Sequence, residues 1–271
     1  MKNIAIILSI YKTAELNLLS KALESIKNQT YKNIKLFICI DGPVSSNIYE
    51  LINNFDFNKK IIKNDSALGL AQALNHLIEH VLSDDIFFEY IARMDEDDIS
   101  LCDRIEKQSI FMDNNLNIVA SGCSIATIDS KGLRLKFRNS ETNHLQMIER
   151  FGYRTPIFHP TAIFRSNLFR NDIRYNISTS IPEDLYIWGE LIERGYILGN
   201  MPDVLLEYRI TNKTAIDRLQ SSGCLNLLIF RLKIMNKSRK KISMNTFLTI
   251  CRFLVSLSPS WVKIALYRFY S

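Results

Sequence analysis

Four consecutive acidic residues, Asp95-Glu96-Asp97-Asp98, follow directly on the apolar run Ile91-Ala92-Arg93-Met94. Like charges this close repel, and each costs free energy unless a cation or solvent offsets it. Asp95 and Asp97, one residue apart, offer hard oxygen ligands to Mg2+ or Mn2+, and an ion held there can share a diphosphate. A metal so shared stabilises a nucleoside diphosphate as a leaving group. Taken alone, the tetrad is equally a solvated turn capping a helix that follows it. Two other junctions carry suitable groups. Ile38-Cys39-Ile40-Asp41-Gly42-Pro43 puts a carboxylate beside a Gly-Pro turn, and Ser9-Ile10-Tyr11-Lys12 supplies a hydroxyl and an aromatic ring. A stacking ring, an acceptor for a base N–H and a metal-binding pair suit a pyrimidine nucleotide lying across the edge of a sheet. Arg93 and Arg209 are candidates for charge-assisted bonds to a diphosphate, structural ion pairs being the alternative. Glu183-Asp184 opens an apparent helix, where acidic residues favour the helix dipole. Trp188, in the same helix, suits either a sugar face or the core. His76 and His80 lack a neighbouring carboxylate motif and are not expected to bind metal.

These groups need elements to hold them. Ile4–Ile10 and Ile34–Ile40 are β-branched runs that predict buried parallel strands, and Glu15–Asn28 and Gly69–Val81 carry apolar residues at helical spacing. A helix at Ile48–Phe55, strands at Lys60–Lys63 and Phe87–Met94 and a helix at Arg104–Asn114 complete a βαβ-type open sheet, which binds ligands outside the carboxyl ends of its strands. Beyond residue 115 the pattern loosens. Strands are expected at Ile118–Ile128, Leu133–Phe137, Ala162–Arg165 and Val204–Ile210, with helices at His144–Arg150 and Glu183–Arg194, enough to build an acceptor pocket onto a nucleotide-binding half.

Five segments recur together in family 2 glycosyltransferases: Ile4–Tyr11, Ser25–Tyr31, Asp41-Gly42, Gly69–Asn75 and Met94–Asp98. In their order and spacing the chain resembles bacterial members of that family that build O-antigen or capsular repeat units, over roughly residues 3–210. The resemblance implies a GT-A fold, that is, a Rossmann-like open mixed sheet with helices on both faces. It also implies a UDP-sugar donor, a Mn2+ or Mg2+ ion and inversion at the anomeric carbon. Carried over by position, Tyr11 stacks on uracil, Ser9 lies near the nucleoside and Asp41 accepts from the uracil N3–H. Asp95 and Asp97 form the DxD pair, with Asp97 favoured as the direct metal ligand, and Asp98 extends the motif. Many relatives have a second Asp where Ile40 stands, which affects ribose contacts. Asp184 aligns with the catalytic base, and Glu183 orients it or binds an acceptor hydroxyl. Phe158-His159-Pro160-Thr161 resembles a stretch whose His lies near donor or metal, a loop His being the alternative. By family frequency the donor is UDP-glucose or UDP-galactose.

Charge is distributed unevenly along the 271 residues. The formal net charge is +6, yet the segment from Arg218 to Ser271 holds ten Lys and Arg and no Asp or Glu. Residues 1–217 are therefore net −4, with 24 basic and 28 acidic side chains. They are expected to form the catalytic domain, with 1–115 the nucleotide-binding half and 116–217 the acceptor half. Residues 218–271 are expected as a basic amphipathic helical tail that meets an anionic membrane surface, its aromatic residues Trp261, Tyr267, Phe269 and Tyr270 suited to the headgroup region. Packing of part of it on the body is the alternative. No motif of a nucleic-acid fold accompanies the charge, so nucleic acid is not an expected partner. The acceptor implied by the resemblance is a saccharide on undecaprenyl diphosphate, at the cytoplasmic face of the cell membrane. MKNIAIILSIYK lacks a cleavage site and no apolar stretch is long enough to span a bilayer, so a cytoplasmic, peripheral chain is expected. The five scattered cysteines suggest buried thiols, neither a disulfide framework nor zinc. Two alternatives compete with a transferase. A sugar-phosphate nucleotidyltransferase should carry a Gly-rich basic loop after the first strand, which Ser9–Lys12 is not, and a non-catalytic membrane-peripheral assembly factor has no need of Asp41, Asp95, Asp97 and Asp184.

Overall fold

The computed structural model describes residues 1–177, 181–210, 224–238 and 244–257. The amino-terminal part alternates β1 (Ile4–Tyr11), α1 (Leu16–Lys27), β2 (Ile34–Asp41), α2 (Ser46–Asn54), β3 (Lys59–Asn64), α3 (Leu70–Leu82) and β4 (Tyr90–Met94). Successive side chains of a strand point to opposite faces, and each face here has its own apolar partner. Ala5, Ile7, Phe37 and Cys39 join Ala73, Leu74, Leu77 and Ile78 of α3 in one core. Ile4, Ile6, Leu8 and Ile10 join Leu36, Ile38 and the apolar stripes of α1 and α2 in the other. Helices therefore cover both faces, as expected.

A short β5 (Ile99–Ser100), α4 (Arg104–Asn114), β6 (Ile118–Ile128), β7 (Arg134–Arg138), α5 (His144–Arg150), β8 (Ile163–Arg165), α6 (Asn167–Arg170), α7 (Glu183–Glu193) and β9 (Ile197–Arg209) follow. The nine strands make one sheet in the order β3-β2-β1-β4-β8-β6-β9-β5, with β7 paired to β6. β1 to β4 are parallel, β8 runs antiparallel to both β4 and β6, and β9 is parallel to β6. The chain winds outward from β1 to β3 through α1 and α2, then crosses by α3 on the opposite face to place β4 on the other side of β1. A crevice opens there, between the carboxyl ends of β1 and β4, which is where open sheets of this kind take ligands.

Two expected strands are revised. The strand foreseen from Phe87 begins only at Tyr90, and the one foreseen at Val204 begins at Ile197. In the latter, Gly199, Asn200 and Pro202 sit within the strand, where the register with β6 shifts beside Cys123 and Ser124. Gly and Pro at such an irregularity are tolerated, and they mask the strand from a periodicity reading. Among the cysteines Cys39 and Cys123 are buried but Cys102 is exposed, against the expectation of buried thiols throughout.

Beyond residue 217 two helices are described, α8 (Cys224–Met235) and α9 (Met244–Leu257). Both pack on the body. Ile234 and Met235 enter the same core as α3 and α7, the Phe230 ring stacks on Tyr186 at 5.7 Å, and buried Thr249 of α9 lies against Gly152. The stretch containing Trp261, Tyr267, Phe269 and Tyr270, and the basic cluster at 239–241, lie outside the described residues.

Candidate active site

An open cleft of about 600 Å3 lies at the crevice, lined by Ser9 and Tyr11 from the end of β1, Asp41 from β2, the loop 67–70, and Asp95, Glu96 and Asp97 from the turn after β4. The sheet itself brings the first of these together, since Tyr11 pairs in register with Asp41 and Asp41 with Asn64. Asp41 is buried, and its carboxylate accepts bonds from the Asn64 side chain and from the backbone N–H groups of Leu68 and Gly69, each at 2.9 Å. It thereby folds the loop after β3 back over its own strand end. The fold-back requires a left-handed residue, met by Gly69 with φ of +91°. Leu68 and Leu70 remain partly exposed and add an apolar part to the cleft wall.

The four acidic residues after β4 have four different environments. Asp95 is gripped by the buried Arg93, whose guanidinium donates from both terminal nitrogens, one of them at 2.9 Å. Burial works against the charge of Arg93, but Asp95, Tyr175 and Glu183 together hold it protonated. Glu96 turns back to accept the Tyr11 backbone N–H at 3.0 Å. Asp97 keeps its carboxylate at the cleft, where burial first and the charge of Asp95 second push its pKa up to about 6. Asp98 is fully buried and raised well above the usual carboxylate range, by burial and then by Asp95 and Asp97. One of its oxygens accepts the Arg209 backbone N–H at 2.8 Å, and the other has no partner among the described residues.

Three expected contacts are thus corrected. Arg93 does not reach the cleft wall to meet a diphosphate, because both its terminal nitrogens are taken up by Asp95. Asp98 points into the protein and ties the turn to β9. Arg209 is buried as well, donating to the carbonyl oxygens of Asp97 at 2.8 Å and Asp129 at 2.7 Å, so it clamps the acidic turn and the β6–β7 hairpin onto β9.

Glu183 and Asp184 open α7 as foreseen. They are not part of the cleft wall, but they stand within electrostatic reach of it. Burial, then Asp184, raises the Glu183 pKa, which Arg93 lowers and Asp95 raises. Asp184 accepts the Leu185 N–H at 2.7 Å. Trp188 is completely buried, stacked on Phe164 at 5.4 Å, and belongs to the core; it is not a sugar platform. His159 is likewise interior, its Nε2 2.9 Å from the Tyr175 hydroxyl, and burial followed by the charge of Arg93 holds it neutral, well below the usual histidine range. Glu96, Asn64 and the 67–70 loop were not foreseen as part of the site. Glu96 had one visible signal, a long acceptor placed between two aspartates where any small residue would suffice for a DxD pair.

Among the described residues, the side chains that line the cleft include carboxylates and no cation, while Lys12 Nζ stands 5.5 Å from the centre of the Tyr11 ring and Arg93 grips Asp95 from behind. An anionic diphosphate would be repelled there without a counter-ion. Among the described residues no group of three or more His, Cys, Asp or Glu is placed to hold a metal unaided. A hard divalent ion fits this donor set, since Mg2+-like ions are commonly held by one or two carboxylates and complete their shell with water and substrate phosphates. Asp97 lies at the cleft, whereas Asp95 is already paired with Arg93.

A mixed open sheet with a carboxylate-lined cleft outside its strand ends is the arrangement of an α/β fold that takes ligands at its switch point, and the solved structures it matches have the GT-A fold of glycosyltransferases. The chain belongs to glycosyl transferase family 2, whose family model matches residues 5–172. It is similar along 97% of its length, and 97% of the relative's, to the amylovoran biosynthesis glycosyltransferase AmsE of Erwinia amylovora, at 27% identity. Its fold resembles that of S. aureus TarS 1-349 in complex with UDP, with TM-score 0.64 and 13% identity over 93% of this chain and 70% of that one. It also resembles the mannosyltransferase PcManGT from Pyrobaculum calidifontis in complex with GDP-Man and Mn2+, with TM-score 0.65 and 16% identity over 97% of this chain and 72% of that one.

Proposed function

We propose that this glycosyltransferase is inverting and metal-dependent, moving a hexose from UDP-glucose or UDP-galactose to a saccharide carried on undecaprenyl diphosphate, in the synthesis of an O-antigen or capsular polysaccharide. The observation that carries the reading is the carboxylate-lined cleft with Asp97 at its wall and the Glu183-Asp184 pair within electrostatic reach. The amylovoran role of a relative, and the UDP, GDP-Man and Mn2+ bound by structural neighbours, support it.

Tyr11 stacks on the base, Asp41 accepts its ring N–H with the lone pair left by its three present donors, and Ser9 lies against the nucleoside. Asp97, with Asp95 behind it, would hold the metal, which offsets the charge of the departing diphosphate. Asp95 is already paired with Arg93, which leaves Asp97 the readier donor. Asp184 takes the proton of the acceptor hydroxyl as that oxygen bonds to the anomeric carbon, and the bond from that carbon to the UDP oxygen breaks, its electron pair leaving with UDP. Glu183 orients Asp184 or the acceptor.

The acceptor's lipid calls for a membrane partner. No helix among the described residues is long and apolar enough to cross a membrane. Residues on α9 such as Met244, Phe247 and Leu254 are exposed although α9 packs on the body, and with the basic tail they suit peripheral attachment to an anionic inner leaflet.

The test is UDP release from UDP-glucose and UDP-galactose, with a GlcNAc- or GalNAc-diphosphate-lipid acceptor, with and without Mn2+. Asp184→Asn is expected to abolish release while sparing UDP binding measured by calorimetry. Near-normal turnover in that variant overturns the base assignment, and full activity in chelator overturns the metal.

A further inference from the structure

Between the two aspartates of the β4–β5 turn, Glu96 does something that a metal-binding pair does not require. Its Oε2 accepts the backbone N–H of Tyr11 at 3.0 Å. The bond crosses the place where the sheet opens. β1 and β4 run in parallel register from Ile4↔Tyr90 to Leu8↔Met94 and stop pairing there, while β1 continues against β2 as far as Tyr11↔Asp41. On the crevice side, the end of β1 therefore has no strand to bond. A backbone N–H left in such a position needs an acceptor. A side chain of Glu length, projecting from the turn after β4, supplies it across the gap, with the added strength of an ionised acceptor.

We infer that Glu96 is a positioning residue for donor binding, a strut that fixes the Tyr11 platform relative to the turn carrying Asp97. This deepens the reading of the cleft as a nucleoside diphosphate site and rests on it. A nucleoside diphosphate has its base at one end and its phosphates at the other. The distance between the ring that receives the base and the carboxylate that receives the metal and phosphates is then a property the protein must hold. Elsewhere along β1 and β4 the ladder holds it, and at the cleft Glu96 takes over. Asp at this position is one methylene shorter, and Ala or Ser has no acceptor that reaches.

Charge and geometry predict opposite outcomes, which makes the inference testable. Were Glu96 only one more negative charge in an acidic cleft, removing it would improve binding of an anion. As a strut, its removal weakens binding. The experiment measures UDP affinity by calorimetry in Mn2+ for the full chain and for Glu96→Ala, Glu96→Gln, Tyr11→Ala and the Glu96→Ala/Tyr11→Ala pair, with donor KM and kcat alongside. Glu96→Ala is expected to raise the UDP Kd about tenfold, because the platform must then be ordered on binding. KM should rise in parallel, with kcat changed less than about twofold. Glu96→Gln, whose amide oxygen still accepts, is expected to recover most of the lost affinity. In the Tyr11→Ala background the same Glu96→Ala change should cost less than about twofold, because no ring remains to be positioned. Unchanged or tighter UDP binding by Glu96→Ala overturns the inference, as does full additivity of the pair. A parent that binds no UDP overturns the reading of the cleft and the strut with it, whereas a parent that binds UDP with Glu96→Ala unchanged overturns the strut alone.

Discussion

Arg93 sits behind the cleft, gripping Asp95 while its charge is felt at Glu183, Tyr175 and His159. A single buried cation thus serves both acidic clusters, and the polar side chains around it must carry the right protonation for the arrangement to hold. His159 is the one most sensitive to acid. Its imidazole is neutral in the fold because burial and Arg93 both oppose a proton, whereas in the unfolded chain it titrates near 6.5. The unfolded state therefore binds more protons below that pH, and His159 contributes stability that is complete above about 6.5 and lost as the pH falls, by up to about 1.4 kcal/mol per unit. Asp97, Asp98 and Glu183 have raised folded pKa values and act in the opposite sense, gaining as the pH falls. A difference measurement separates them. His159→Gln, which keeps a hydrogen-bonding group for Tyr175, is expected to melt below the parent at pH 8, and this gap should narrow or reverse by pH 5. A gap that is constant across that range would show that His159 gains a proton in the fold as readily as out of it.

α7 is positioned from outside by α8, and the contact is unusually close. A Cβ built on Gly189 meets the Phe230 Cζ at 2.2 Å, so the Phe230 ring lies directly against the α7 backbone, flanked by Tyr186 and Phe151. Gly189→Ala gains up to about 1 kcal/mol of helix propensity, and overpacking of this kind costs about 1–3 kcal/mol. The net expectation is a lower Tm and, because α7 carries Asp184, a lower kcat with little change in UDP affinity. Gly189→Ala with Phe230→Leu should regain much of the Tm; a single variant as stable as the parent would mean that α8 yields at no cost. Contacts of this kind explain which parts of the molecule were legible in the chain. β1 and β2, with α1 and α3, were readable because they carry unbroken or periodic apolar runs that are buried, and Asp41, Asp95 and Asp97 were readable because they stand at the ends of strands. β5 is two residues long, β9 begins in a stretch interrupted by Gly199 and Pro202, and neither carries a period to find. Arg93, Asp98 and Arg209 have residue types suited to a diphosphate site, and nothing in their spacing reveals that Arg93 is spent on Asp95, that Asp98 accepts the Arg209 backbone N–H, or that Arg209 bonds the carbonyl of Asp97. For Asp98 and Arg209 such partners exist only once β9 lies against the acidic turn.

The division of charge between a body of net −4 and a carboxyl-terminal stretch with ten basic and no acidic residues gains a structural counterpart in α9. That helix meets the body through Asn245 and Thr249 and turns an apolar stripe away from it. Thr249 faces the body and is buried, whereas Met244, Phe247, Leu248 and Leu254, spaced as one helical stripe, are exposed. A stripe of this kind beside a cationic chain is what an interfacial helix presents to anionic lipid, apolar residues entering the acyl boundary and basic ones meeting the headgroups. Deleting residues 218–271 would be a poor test, because Ile234 and Met235 are part of the core around α7 and their loss would disturb the catalytic body. Substitutions confined to the exposed stripe avoid this. Phe247→Asp with Leu254→Asp is expected to leave the Tm within about 2 °C of the parent, as exposed changes contribute little to stability. Burying even part of two such side chains is worth more than about 1.4 kcal/mol, so co-sedimentation with phosphatidylglycerol-containing vesicles should weaken at least tenfold. The basic residues should show themselves separately, as a loss of parent binding when the vesicles are zwitterionic or the salt is raised. Parent-like binding of the doubly substituted protein to anionic vesicles would remove α9 from the membrane contact and leave the charge of the tail as its only support.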